Sequence, residues 1–160
     1  MIPVNTDMIE NCNIKNKKHI EQCLDERGVY VSTTVGTSMF PMLRNRRDTI
    51  IVSLVTDRLK KYDIPLYRRG NDYVLHRIVK VTESGYVICG DNCLYREYGI
   101  TDEQILGVLS GFYRGNHVVD MSGTGYRLYC RVWVAVYPVR FILKWAWING
   151  KKVIKRCISK

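Results

Sequence analysis

The segment Tyr73-Val-Leu-His-Arg-Ile-Val-Lys-Val81 is rich in β-branched residues, which is typical of a β-strand. The strand period of two places His76 on one face and Arg77 on the other. A turn at Ser84-Gly85 leads into a second apolar segment, Tyr86-Val-Ile-Cys89. We therefore predict a β-hairpin here, with Tyr73–Val81 as one continuous strand.

Further strands are predicted on both sides of this hairpin, each bounded by glycine, proline or polar turn residues. They cover residues 29–35, 49–55, 64–68 and 105–113, with a short antiparallel return at 118–119. Pro65 has no amide donor, so its strand lies at a sheet edge or begins at this residue. A polar helix is predicted over residues 7–27, ending at Gly28. The predicted fold is therefore mainly β, with one short N-terminal helix.

Positive charge is concentrated at the C-terminus. The 160-residue chain has a formal net charge of +10, to which residues 114–160 contribute +9 and residues 1–113 only +1. Residues 128–148 mix tryptophan and aliphatic side chains with Arg140 and Lys144, and each central charge costs a spanning helix about 2.5–3.5 kcal/mol. We expect this basic, amphipathic segment to lie on an anionic membrane surface, its basic side chains extended towards the headgroups. The residues expected directly against anionic headgroups are Lys151, Lys152, Lys155 and Arg156. The alternatives are packing on the protein's own body and a C-terminal span.

These features divide the chain into an N-terminal helix (1–28), a β-rich domain (29–113) and a basic, aromatic-rich extension (114–160). Residues 1–26 are polar and mixed in charge, which predicts no secretory signal. The six cysteines are too few for a disulfide scaffold, and no second close pair joins Cys89 and Cys93 in a zinc site. We expect reduced thiols, a cytoplasmic location at the inner membrane face, and no metal or organic cofactor.

Three kinds of side chain could carry chemistry. In Gly36-Thr-Ser38-Met-Phe-Pro41 the glycine permits a sharp turn that exposes the Ser38 hydroxyl. A neutral imidazole at His76 can take a proton from serine near pH 7, although a structural hydrogen bond is the ordinary role of such a histidine. A histidine base also needs a carboxylate to fix its tautomer, and Asp91 and Glu97 are the two candidates.

Four segments occur in an order that resembles the type I signal peptidase family: Ser38-Met-x-Pro41, Tyr62-Asp-Ile-Pro-Leu-Tyr-Arg68, Leu75-His-Arg-Ile-Val79 and Gly90-Asp-Asn92. The resemblance covers about residues 29–113 and implies a coiled, barrel-like β fold with a serine nucleophile. The histidine before Arg77 resembles the endoplasmic-reticulum and archaeal branch of the family, because the bacterial branch has lysine there. By this resemblance Ser38 is the nucleophile, His76 the base, and Asp91 or Glu97 the third member.

The chain departs from that family in its polar N-terminus, in Tyr62-Asp63 at the usual Gly-Asp position, and in its small size. We therefore expect a specialised maturation protease that cleaves a leader or signal-like peptide from a precursor. The alternative is a non-catalytic module on the same scaffold that docks peptides or membranes. Nucleic-acid binding by the tail is the third and least favoured hypothesis, because tryptophan and aliphatic residues separate the tail's charges. The sequence predicts no particular oligomeric state.

Overall fold

The computed structural model describes residues 17–158, with side chains for residues 20–149. The predicted helical residues 7–16 therefore lie outside the described part of the chain. The helices are α1 (Lys17–Arg27), α2 (Thr124–Ala135) and α3 (Tyr137–Ile158). The strands are β1 (Val29–Thr33), β2 (Asp48–Ser53), β3 (Pro65–Arg69), β4 (Asp72–Leu75), β5 (Arg77–Thr82), β6 (Gly85–Cys89), β7 (Glu97–Ile100), β8 (Ile105–Arg114) and β9 (His117–Val119).

The strands form two antiparallel sheets. The larger sheet has the order β1-β2-β8-β3-β4, with β9 added to β8, and it curls into a half-barrel. The smaller sheet has the order β5-β6-β7. The predicted mainly β, barrel-like fold with a short N-terminal helix is confirmed. Pro65 is the first residue of β3, which lies inside the larger sheet between β8 and β4, so the proline marks a strand start rather than an edge.

The predicted single strand over Tyr73–Val81 is wrong, because the chain changes sheet at His76. Strand β4 pairs with β3 in the larger sheet, whereas β5 pairs with β6 in the predicted hairpin. His76, Arg77 and Ile78 are consecutive and all buried, so the alternation of buried and exposed faces fails. Buried and exposed side chains alternate in a strand that is covered on one face only. Residues at a crossover between two sheets are covered on both faces, so consecutive side chains are buried.

Two apolar cores fix the elements around this crossover. The first lies under the larger sheet and includes Leu24 of α1 together with Met39 and Leu43. The second includes Tyr67 of β3 and Ile78 of β5. Burying one large apolar side chain contributes about 1.5–3 kcal/mol, so both the turn that contains Met39 and the start of β5 are firmly anchored.

Helices α2 and α3 pack one face on the body and leave the other exposed. On the packed face Cys130 is fully buried, and Arg140 and Lys144 bond to residues 91–92. The prediction that these two basic side chains extend towards lipid headgroups is therefore wrong. Several large apolar side chains of these helices are nevertheless exposed: Leu128, Val132, Val139, Ile142, Leu143, Trp145 and Trp147.

Within residues 17–158, none of the helices has both the length and the apolar character that crossing a membrane requires. The predicted contact of Lys151, Lys152, Lys155 and Arg156 with anionic headgroups falls on side chains outside the described range.

Candidate active site

Ser38 lies in a turn after β1 whose shape is fixed on both sides. Gly36 has φ +98°, a left-handed conformation that favours glycine, and its amide donates to Asn45 Oδ1 at 2.9 Å. The next residue after Ser38, Met39, is buried in the first core. The turn is thus anchored beyond Ser38, while Ser38 itself is half-buried at the wall of a cleft.

His76 is buried at the crossover between the sheets, and its Nδ1 atom has two oxygen neighbours. Glu97 Oε1 is 3.1 Å away and Tyr67 Oη is 3.2 Å away. An ionised carboxylate only accepts, so Nδ1–H donates to Glu97, with the Tyr67 oxygen as a second neighbour of the same proton. In this tautomer Nε2 carries the lone pair and is the ring atom able to accept a proton.

The surroundings of His76 keep it neutral near pH 7. Burial lowers the pKa of His76 below its ordinary value of 6.5, and the charge and hydrogen bond of Glu97 act in the opposite direction without cancelling that effect. Burial, followed by the charge of Glu97, raises the pKa of Tyr67, so this phenol stays protonated and remains a donor. The imidazole is therefore a neutral base with a fixed orientation.

The Ser38 turn and the His76 ring converge at Gly90. A Cβ added to Gly90 would lie 2.8 Å from the Ser38 carbonyl oxygen and 2.9 Å from His76 Nε2. Ser38 and His76 also line one cleft of about 450 Å³. Between these two described side chains no hydrogen bond forms in this structure. Catalytic hydrogen bonds are often long without substrate and tighten when it binds.

Asp91 does not pair with His76, the partner that the sequence analysis allows for it. Its carboxylate accepts two hydrogen bonds from Arg77, from Nε and from Nη2, each at 2.8 Å, and a third from the Tyr129 hydroxyl at 3.0 Å. Arg77 and Asp91 are both buried. Of the two candidate carboxylates, Glu97 is therefore the one that contacts His76, and Asp91 forms an ion pair that fastens the 90–92 turn to β5.

Three further residues near the site were not predicted from the sequence to take part in it. Tyr67 contacts His76 Nδ1, Cys93 Sγ lies 3.9 Å from His76 Nε2, and Asn92 donates its amide to the Ser38 carbonyl at 2.7 Å. Burial raises the pKa of the Cys93 thiol, so it is protonated at neutral pH. Asn92 stands within a common turn sequence, and only the folded chain brings it to Ser38.

Among the described residues, no group of three or more His, Cys, Asp or Glu side chains is arranged so that it could hold a metal ion. In comparisons with known proteins, no family model matches this chain, and no curated protein matches it. The inference of function therefore depends on the geometry of Ser38, His76 and Glu97.

Proposed function

We propose that this protein is a serine endopeptidase with Ser38 as nucleophile, His76 as base and Glu97 as the carboxylate that orients the base. The observation that carries the proposal is the pairing of His76 Nδ1 with Glu97, which leaves Nε2 facing the point where the Ser38 turn approaches. Nucleophile, base and orienting group are the three parts that such catalysis requires. The resemblance of the Ser38 and His76 segments to type I signal peptidases supports the same assignment.

In the proposed reaction, His76 Nε2 takes the proton of the Ser38 hydroxyl as its oxygen attacks a peptide carbonyl. Glu97 stabilises the imidazolium that forms, and the Ser38 amide is a donor to the oxyanion. The imidazolium then protonates the departing amine, leaving an ester on Ser38. Water, deprotonated by His76, attacks this ester and releases the carboxylate product, which restores the free hydroxyl.

The substrate class proposed is a leader or signal-like peptide of a precursor protein. The cleft beside Ser38 is lined by apolar side chains of the first core and of β4, including Leu43, Leu66 and Leu75, which suits short apolar residues before the scissile bond.

An anionic membrane surface is the partner that we propose for the C-terminal helices, at the inner membrane face. Trp145 and Trp147 are exposed, and tryptophan prefers the membrane interface. The basic residues that follow would attract anionic lipids. The protein should cosediment with vesicles that contain anionic lipid, and Trp145→Ser with Trp147→Ser should weaken this. Equal binding of both proteins to vesicles would contradict the proposal.

Fluorophosphonate labelling tests the proposed nucleophile. The Ser38 oxygen should attack phosphorus and expel fluoride, giving an adduct that peptide mass spectrometry places on Ser38. Labelling should be lost in Ser38→Ala and His76→Ala and retained in Ser32→Ala, since Ser32 is another serine of the same cleft. Folded protein that stays unlabelled would contradict the proposal and favour the non-catalytic docking module.

A further inference from the structure

The turn over residues 90–94 directly supports the Ser38 turn. The Asn92 amide donates to the Ser38 carbonyl at 2.7 Å, and Asn92 Nδ2 donates to the Thr37 carbonyl at 3.1 Å. Two carbonyls of the turn that carries the proposed nucleophile are thus fixed by one residue. Any movement of Asn92 would move Ser38 relative to His76.

The C-terminal helices in turn support residues 91–94 through side-chain donors. Trp133 Nε1 donates to the Asp91 carbonyl at 3.0 Å, and Arg140 donates to the same oxygen. The Tyr137 hydroxyl donates to the Leu94 carbonyl. Each of these contacts satisfies a turn carbonyl that has no strand partner, so the helices replace the backbone pairing that a turn lacks.

Lys144 is the donor that acts on Asn92 itself. Its Nζ atom donates to the Asn92 carbonyl and, at 2.8 Å, to Asn92 Oδ1. With Oδ1 bound by the ammonium group, the amide nitrogen Nδ2 is turned towards the Thr37 carbonyl. Bonds from a charged donor are stronger than neutral ones, so Lys144 fixes both the position and the side-chain orientation of Asn92.

We propose that Lys144 is a positioning residue that acts through Asn92 to hold Ser38 in line with His76. The inference builds on the peptidase proposed above. It implies that the C-terminal extension is required for efficient chemistry although it supplies no reacting atom. The packing contact of Lys144 is therefore a task of helix α3 that is separate from the membrane contact proposed for its exposed tryptophans.

Hydrogen exchange tests the positioning without any need for activity. In Lys144→Met the Asn92 amide should exchange about tenfold faster, because its local opening becomes easier, while amides of β6 are unchanged. Lys144→Arg, which keeps a charged donor, should restore protection. Arg131→Met removes the same charge from an exposed site on α2 and should leave Asn92 protected. Unchanged protection of Asn92 in Lys144→Met would overturn the proposal.

Steady-state kinetics then tests the consequence for Ser38. Lys144→Met should lower kcat about tenfold or more with little change in KM, because substrate binding is kept and alignment is lost. Asn92→Asp, which keeps the Lys144 contact but loses the donor to Thr37, should show the same pattern. A change confined to KM, or equal loss in Arg131→Met, would overturn the proposal. If wild-type protein has no Ser38-dependent cleavage, the proposed function fails, and hydrogen exchange still decides whether Lys144 positions Asn92.

Discussion

His76 Nδ1 lies 3.1 Å from Glu97 Oε1, at the point where the chain crosses from one sheet to the other. Glu97 is the first residue of β7, a strand that the sequence did not predict. Its pairing with β6 brings the carboxylate beside the histidine. This contact distinguishes Glu97 from Asp91, which the sequence left as equal candidates for the partner of His76. Asp91 is paired with Arg77 instead.

Glu97→Gln should remove activity while leaving the fold intact. An amide at this position no longer stabilises the imidazolium or fixes its tautomer, and loss of the orienting carboxylate costs about 10³–10⁴-fold in kcat. The free energy of unfolding should change by no more than about 1 kcal/mol, because Glu97 is partly exposed. Glu103→Gln, at an exposed position, is the matched control. Full activity in Glu97→Gln would rule out this residue as the partner of His76.

Asp91→Ala, in contrast to Glu97→Gln, should mainly reduce the stability of the fold. Removing this carboxylate leaves the buried Arg77 charge uncompensated, at a cost of about 3–5 kcal/mol in free energy of unfolding. Replacing both partners, Arg77→Met with Asp91→Leu, should recover much of that loss. Urea unfolding gives the free energy of unfolding of the wild type, of Asp91→Ala and of the double variant. A single variant as stable as the wild type would show that this ion pair does not fasten the 90–92 turn.

The pH dependence of cleavage should follow the protonation of His76. A base acts in its neutral form, so kcat/KM rises with pH through its pKa and then levels off. Because burial lowers the pKa of His76 below 6.5, the rise should be complete before neutral pH. In the residual activity of Glu97→Gln the rise should move to still lower pH, since the charge that opposes the lowering is gone. A rise centred above pH 7 would contradict this assignment.

Gly90→Ala should disrupt the site, because the added methyl would lie 2.8 Å from the Ser38 carbonyl oxygen and also close to two side chains. The added methyl would lie 2.6 Å from Cys93 Sγ and 2.9 Å from His76 Nε2, so it would displace the base from the Ser38 turn. Cleavage should fall about 10²-fold, as expected for a misplacement of about 1 Å. Gly125→Ala, whose new methyl meets no atom within 4 Å, should be fully active. Equal activity of both variants would show that His76 and Ser38 do not meet at Gly90.

The sequence predicted most of the strands because they are short, β-branched and bounded by turns. Pro65, Gly28 and the hairpin at Ser84-Gly85 all act locally, and local signals can be seen in the sequence. The crossover at His76 could not be predicted in this way. A change of sheet depends on which strands pair over long distances, and the segment around His76 has the composition of an uninterrupted strand.

The residues of the candidate site were likewise predictable only where the signal in the sequence is local. Ser38 and His76 stand in motifs with a stated chemistry, whereas the choice between Asp91 and Glu97 depends on which charge Arg77 pairs with. The support of the Ser38 turn by Asn92 and Lys144 joins segments about fifty residues apart, and turn composition and amphipathicity carry no signal for it.

The most direct test of the proposed chemistry is cleavage of a defined peptide library by wild-type protein and by Ser38→Ala at equal concentration. Mass spectrometry would identify each new terminus. The geometry of Ser38, His76 and Glu97 predicts a set of cleaved bonds in the wild-type sample that is absent with Ser38→Ala, although circular dichroism shows both proteins equally folded. The same bonds cleaved by Ser38→Ala, or a library left intact by the wild type, would contradict it.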